Sequence, residues 1–126
     1  MKRIVTLLLL LTTLPALAQV WIRYAQTDTA TLYFDSLRTR KMGDTAFVWD
    51  LHDLNKPAKD DAGRVYRSVM YATEYQCRIR QRRVLSILLY SEPMAKGTDI
   101  EVIASGEWTA TPPDSLSGQL FDHICE

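Results

Sequence analysis

The segment Arg64–Cys77 constrains the fold most, because β-branched and aromatic residues recur along it at alternate positions and neither Gly nor Pro interrupts it. In a β-strand, successive side chains point to opposite faces. One face would then carry Val65, Arg67, Val69, Tyr71, Thr73, Tyr75 and Cys77, and the other Tyr66, Ser68, Met70, Ala72 and Glu74. The pattern predicts one long strand with a distinct set of side chains on each side.

Other segments rich in aromatic and β-branched residues predict further strands, since these side chains suit a pleated, half-buried surface. They are Val20–Tyr24, Ala30–Phe34, Thr45–Leu54, Val84–Ser91 and Asp99–Trp108. Turn-forming stretches separate most of the strands, at Gln26–Thr29, Lys41–Asp44, Asn55–Gly63 and Glu92–Thr98. Short connections favour an antiparallel meander. The join between Cys77 and Val84 has no Gly, Pro or Asn, so its register stays open.

The end of the chain changes from strand to helix periodicity. Pro112-Pro113-Asp114-Ser115 combines a strand stop with helix-capping residues. The apolar residues that follow recur at the three- and four-residue spacing of an amphipathic helix, namely Leu116, Leu120, Phe121 and Ile124. Gly118 weakens this prediction by about 1 kcal/mol relative to Ala.

The first eighteen residues have the parts of a cleavable signal peptide. The basic pair Lys2–Arg3 precedes an apolar run, Ile4–Leu14, and Ala16–Ala18 supplies the small residues of a cleavage site. The apolar run is too short to span a bilayer. We therefore expect export of a mature domain, residues 19–126, to the periplasm or the extracellular surface. No lipid anchor is expected, because no cysteine lies at or near Gln19.

Cys77 and Cys125 are the only cysteines. In an exported chain an even count predicts a disulfide. A metal pair would need nearby histidines, and neither cysteine lies in a C-x-x-C redox motif. The bond would hold the helix against the sheet face that carries Tyr75. The predicted fold is therefore α+β: a single six-stranded antiparallel β-sheet with one C-terminal α-helix packed on it and tethered by the disulfide.

Composition and motifs exclude several function classes. The hydrophobic fraction of 47% and the charged fraction of 24% are typical of a globular domain. Basic residues do not exceed acidic ones, so no nucleic-acid partner is expected. The sequence has no P-loop, dinucleotide fingerprint, hydrolase elbow or H-E-x-x-H motif. His52, even with Asp53, gives too few ligands for a metal site. We expect no enzyme activity, metal or cofactor, and Asp35-Ser36 fits an Asx-type turn better than a nucleophile.

Two basic groups are the candidate binding residues. The first is the run Arg78, Arg80, Arg82 and Arg83, and the second is Arg38, Arg40 and Lys41. One interpretation is a solvated connection whose charge protects a sheet edge from aggregation. The other is a site for an anionic partner, with a larger footprint if both groups lie on one face. The aromatic residues Trp49, Tyr71, Tyr75 and Trp108 could line a groove, but we expect them in the core.

Several short motifs occur in a characteristic order. They are Trp21, Tyr33-Phe34-Asp35-Ser36, Val48-Trp49-Asp50-Leu51 followed by Pro57, Tyr66-x-Ser68, Glu74-Tyr75-x-Cys77, Tyr90-Ser91-x-x-Met94 with Gly97, Trp108, and Pro113-x-Ser115 leading to Cys125. Together they resemble the surface-adhesin protein E family of Gram-negative bacteria. The resemblance implies a six-stranded sheet with a disulfide-tethered C-terminal helix and allows a homodimer. It also implies adhesion to host matrix and serum glycoproteins.

Two functions are consistent with these observations. The first is an exported, non-enzymatic binding protein of the cell envelope whose partner is a host or envelope glycoprotein or an anionic polysaccharide. The second is a periplasmic module that binds a small apolar ligand between helix and sheet. A cavity lined by Trp and Tyr would favour the second function, and a helix packed tightly on the sheet would argue against it.

Overall fold

The structure, a computed structural model, describes residues 19–126. The predicted signal peptide, residues 1–18, lies outside the described residues. Within residues 19–126, eight strands, a single 3₁₀ turn and one α-helix follow each other. They are β1 (Trp21–Gln26), β2 (Ala30–Asp35), the 3₁₀ turn (Ser36–Arg38), β3 (Arg40–Met42), β4 (Thr45–Lys59), β5 (Val65–Gln76), β6 (Gln81–Glu92), β7 (Lys96–Val102), β8 (Thr109–Ala110) and α1 (Leu116–Cys125).

The strands form one antiparallel sheet in the order β1-β2-β4-β5-β6-β7, as a meander predicts. Over the described residues this sheet has eight strands, so the predicted number of six is wrong. The two additional strands, β3 and β8, are short and pair with β4 and β6. The sequence gives little sign of them, because all five of their residues are exposed and show no apolar alternation.

Several predicted strand boundaries also differ from the structure, and two of them differ most. β4 continues to Lys59, through residues that predict a turn, and it contains Pro57. Its pairing with β5 is interrupted between Asp53 and Ala58, which gives the proline a position outside the hydrogen-bonded ladder. β7 ends at Val102, and the chain to Trp108 is irregular.

The two faces of the sheet have different neighbours. The helix face carries Ala46, Val48 and Tyr75, all at most 1% exposed, and α1 packs on these residues. The helix contributes the apolar stripe that the sequence predicts, with Leu120, Phe121 and Ile124 buried. The opposite face, here called the far face, carries Phe47, Trp49 and Glu74, because adjacent residues of a strand point to opposite sides.

The disulfide between Cys77 and Cys125 is confirmed, with their Cα atoms 5.4 Å apart. Both cysteines pack against the cluster that contains Tyr75, so the bond holds α1 on the predicted face. At the other end of α1, the Ser115 hydroxyl accepts a hydrogen bond from the Gly118 amide at 3.0 Å and caps the helix. The helix is therefore fixed at both ends.

Candidate functional site

The first two arginines of the run lie in the turn before β6. Arg78 is exposed in that turn. Arg80 has a positive φ of 51°, and its guanidinium lies 4.1 Å from the centre of the Phe121 ring. One of its terminal nitrogens also donates to the Asp122 carboxylate at 3.4 Å. Arg80 therefore helps to hold α1 against the sheet. This part of the arginine run does not form a continuous basic surface.

The last two arginines of the run lie on opposite faces of the sheet. Arg82 is paired with Tyr75, which places it on the helix face. Arg83 is paired with Glu74, which places it on the far face. The Arg83 guanidinium donates to the Glu74 carboxylate at 2.7 and 2.9 Å and stacks 4.7 Å from the Trp108 ring centre.

The second basic group is also divided between the two faces. Lys41 is paired with Ala46 and donates to the backbone carbonyl of Cys125 at 2.8 Å, on the helix side. Arg40 is paired with Phe47 on the far face and is exposed. Arg38 stacks over Trp49, with its guanidinium carbon 5.2 Å from the ring centre.

Asp35 fixes the position of Arg38. Its side chain is fully buried and accepts hydrogen bonds from the Leu37 amide at 3.0 Å and from Arg38 Nε at 2.6 Å. The bond to Leu37 confirms the predicted Asx-type turn and starts the 3₁₀ turn. A charge-assisted hydrogen bond to a buried carboxylate holds the guanidinium in one place on the far face.

One residue row therefore crosses four strands of the far face and carries one arginine of each basic group. It runs from Arg40 on β3 through Phe47 on β4 and Glu74 on β5 to Arg83 on β6. At a strand spacing of about 4.8 Å, the two arginine backbones lie about 14 Å apart. Arg38 lies beside this row on Trp49. Three of the seven candidate basic residues thus share one surface.

The aromatic residues of this surface are the part that the sequence reasoning missed. Tyr75 lies in the core as predicted. Trp108 is 36% exposed, so its prediction as a core residue is wrong. Trp49 is half-buried under Arg38 and makes an edge contact with Phe47, their ring centres 6.5 Å apart. Each tryptophan supports one arginine, which is a stacking arrangement that favours guanidinium groups.

A cleft of about 450 Å³ opens on this surface beside β3. The 3₁₀ turn forms one wall, β3 forms the other, and β4 provides the floor. Its lining residues are Leu37, Arg38, Arg40, Met42, Thr45, Phe47 and Trp49. The cleft is apolar except for Thr45 and the two arginines.

A second, smaller pocket of about 290 Å³ lies on the helix face, next to the start of α1. Its polar groups gather around Asp50, which is 6% exposed. The Tyr24 hydroxyl donates to Asp50 at 3.4 Å, and His52 Nε2 lies 3.3 Å from the same oxygen. Burial, and then the Asp50 carboxylate, raise the pKa of the Tyr24 and Tyr75 hydroxyls well above their usual value. This environment favours the neutral phenols.

The geometry of the helix face argues against a small apolar ligand there. Leu120, Phe121 and Ile124 fill the space between α1 and the sheet. The pocket beside the start of α1 is lined by charged and hydroxyl groups together with Leu116 and Leu120, and no tryptophan contributes to it. The arrangement is that of a tightly packed helix.

No group of three potential metal ligands converges within residues 19–126. His52 contacts Asp50, while the Asp53 carboxylate accepts from the Met94 amide at 2.9 Å. Because they are neighbours on β4, His52 and Asp53 point to opposite faces. Nor is any helix of the described part long and apolar enough to cross a membrane.

The fold was compared with those of solved protein structures. The fold is similar to a solved structure of Haemophilus influenzae protein E, with a TM-score of 0.69 and 17% identity over 83% of this chain and 83% of that one. A second crystal form gives a TM-score of 0.70 at 17% identity, covering 83% and 86% of the two chains. Protein E from non-typeable Haemophilus influenzae gives 0.67 at 17% identity, covering 83% and 74%. At this identity the likeness is one of fold.

Comparison with curated protein sequences finds no significant match. The sequence model of the family described as surface-adhesin protein E, by contrast, matches residues 21–126. That match covers both cysteines, the helix and every strand of the sheet. The chain therefore belongs to the surface-adhesin protein E family.

Proposed function

We propose that this chain is an exported, non-enzymatic, adhesin-like protein that binds an anionic glycoprotein or polysaccharide through its far face. The observation that carries the proposal is the row from Arg40 to Arg83, which places one arginine of each basic group on one surface. Family membership supports the adhesin-like role.

The chemistry of the far face suits an extended anionic partner. Arg38 and Arg83 are each held by a carboxylate and an aromatic ring, so they lose little further freedom on binding. The Arg40 side chain is exposed and makes neither an ion pair nor a hydrogen bond within the described residues. A polymer with regularly spaced sulfates or carboxylates could contact Arg40 and Arg83 together, about 14 Å apart.

The test is binding of residues 19–126 to heparin and to immobilised matrix glycoproteins over a series of salt concentrations. A variant with Arg40→Gln and Arg83→Gln should bind about tenfold more weakly near physiological salt, since each exposed ion pair contributes roughly 0.2–1 kcal/mol. Its affinity should also depend less on salt.

The matched control is Arg67→Gln with Arg78→Gln. Both of these arginines are exposed and are not part of the row, since Arg67 lies on β5 and Arg78 in the turn before β6; their replacement changes the net charge equally. Equal weakening in both variants would show that net charge, and not the far face, governs binding. Absence of binding by the unmodified domain would refute the proposal.

The export part of the proposal is tested separately. Mass spectrometry of the protein secreted by a Gram-negative host should give a mature amino terminus at Gln19, the position after the small residues that precede the cleavage site. Retention of residues 1–18 in the cell-envelope fraction would contradict it.

A further inference from the structure

The cleft beside β3 has an apolar lining that an anionic polysaccharide does not need. Leu37 is 66% exposed and Met42 is 77% exposed, and they face a floor made by Phe47 and Trp49. Single exposed apolar residues are ordinary, but two of them beside two half-buried aromatic rings around one concave site mark a surface that can be covered. The volume of about 450 Å³ lies within the range of small-molecule pockets.

The cleft is positively charged, although Asp35 partly neutralises Arg38. Arg38 and Arg40 both line it, and no acidic residue does. Asp35, the partner of Arg38, is fully buried beneath the turn. Arg38 is fixed by Asp35 and Trp49, whereas Arg40 has no partner within residues 19–126. A ligand that fits both properties carries an acidic group on an apolar body.

We propose that this cleft binds a free, single-chain anionic amphiphile, with the chemistry of a fatty acid. The acidic group of the ligand lies between Arg38 and Arg40, and its alkyl chain covers Leu37, Met42 and the aromatic floor. The site goes beyond the proposed function, because polymer binding requires only the charges of the far face. The two share Arg40, so the experiments must separate them.

The experiment uses residues 19–126 with anilinonaphthalene sulfonate as a fluorescent anionic amphiphile and dodecanoate as a competitor. We expect saturable fluorescence enhancement that dodecanoate reverses. Dodecanol, which has the same chain without charge, should compete more weakly, and dodecylammonium should not compete. Arg40→Gln should weaken dodecanoate binding about fivefold, the size of an exposed ion pair.

The apolar wall is tested by Leu37→Ser with Met42→Ser, which keeps both arginines. Dodecanoate binding should fall about tenfold or more, because the alkyl chain of dodecanoate loses two apolar contacts with the protein. Heparin binding by this variant should not change, which separates the amphiphile site from the polymer surface. The matched control is Val65→Ser with Ile103→Ser, which removes two apolar side chains exposed elsewhere, at 51% and 96%. The control should bind dodecanoate like the unmodified domain.

Four binding results would overturn the inference. They are a lack of displacement by dodecanoate, equal competition by dodecanol, unchanged affinity after loss of the apolar wall, and competition by vesicles of phosphatidylglycerol as strong as that by dodecanoate. Sedimentation over a range of protein concentrations adds a further check. If the domain self-associates and the wall variant does not, the cleft is an interface between copies and the inference is wrong.

Discussion

Replacing Gly118 with Ala tests how closely α1 packs against the preceding backbone at Pro112 and Pro113. On helix propensity alone, Ala in place of Gly should stabilise the protein by about 1 kcal/mol. The structure predicts the opposite sign. A Cβ atom at this position would overlap the backbone carbonyl oxygen of Pro112 and would lie 3.0 Å from its carbonyl carbon and 3.1 Å from that of Pro113.

The size of the effect follows from what must move. The obstructing atoms are backbone atoms, and the Pro112 carbonyl accepts hydrogen bonds from the Ser115 amide at 3.1 Å and the Ser115 hydroxyl at 2.6 Å. Overpacking costs about 1–3 kcal/mol, and disturbing the Ser115 cap costs about 1 kcal/mol more. After subtracting the gain in propensity, we expect a net destabilisation of about 1–3 kcal/mol.

The assay is urea unfolding of residues 19–126 followed by circular dichroism, with the disulfide intact. Gln119→Gly is the control, because Gln119 is exposed on the same helix and its replacement should cost about 1 kcal/mol by propensity alone. Both variants should therefore be less stable, although they exchange Gly in opposite directions. A gain of about 1 kcal/mol in Gly118→Ala would refute the close approach of Pro112 to the helix.

Two further predictions concern the disulfide and the buried phenols. Joint replacement of Cys77 and Cys125 by Ser should lower the free energy of unfolding by about 4 kcal/mol, because the bond closes a 48-residue separation; urea unfolding of the reduced unmodified domain is the control, and unchanged stability would contradict the prediction. Burial raises the pKa of Tyr24 and Tyr75 above 10.0 in the folded state, so the unfolded chain loses these protons first as the pH rises. Stability should be unaffected below about pH 10 and should then fall by about 2.7 kcal/mol per pH unit for the pair. Unfolding at several alkaline pH values checks this, and an equally steep fall after replacement of both tyrosines by Phe would contradict it.

The sequence best predicts those elements that bury one face along their length, either a strand over several residues or a helix over several turns. Tyr75 on β5 and Cys77, directly after the strand, both pack on the helix side as predicted, because burial fixes the register of a strand. The helix stripe is correct for the same reason, except that Leu116 remains 38% exposed at the first turn. Both predictions rest on side-chain periodicity, which a single sequence displays directly.

The site is less predictable because it depends on register and on irregular backbone. The sequence does not determine at which residue β6 begins. The face of the sheet on which Arg82 and Arg83 lie therefore cannot be assigned from the sequence. Once β6 begins at Gln81, alternation alone separates these two arginines. The position of Trp108 depends on a chain segment without regular structure, which has a positive φ of 68° at Gly106. No periodic pattern predicts that segment.

The C-terminal helix determines which basic residues remain available for a partner. Lys41 and Arg80 contact the helix or its last carbonyl, and Arg82 points to the same side. These charges stabilise or line the helix face, so they are not free to bind an extended polymer.

On the far face, Arg38 and Arg83 are partly neutralised by their carboxylate partners. Arg40 differs, since it combines an exposed position, a place in the cleft and no partner within the described chain. Its replacement by Gln removes no ion pair or side-chain hydrogen bond within residues 19–126 and should change stability little. A binding defect in Arg40→Gln therefore reports on the partner and not on folding, which makes Arg40 the most informative residue of this surface.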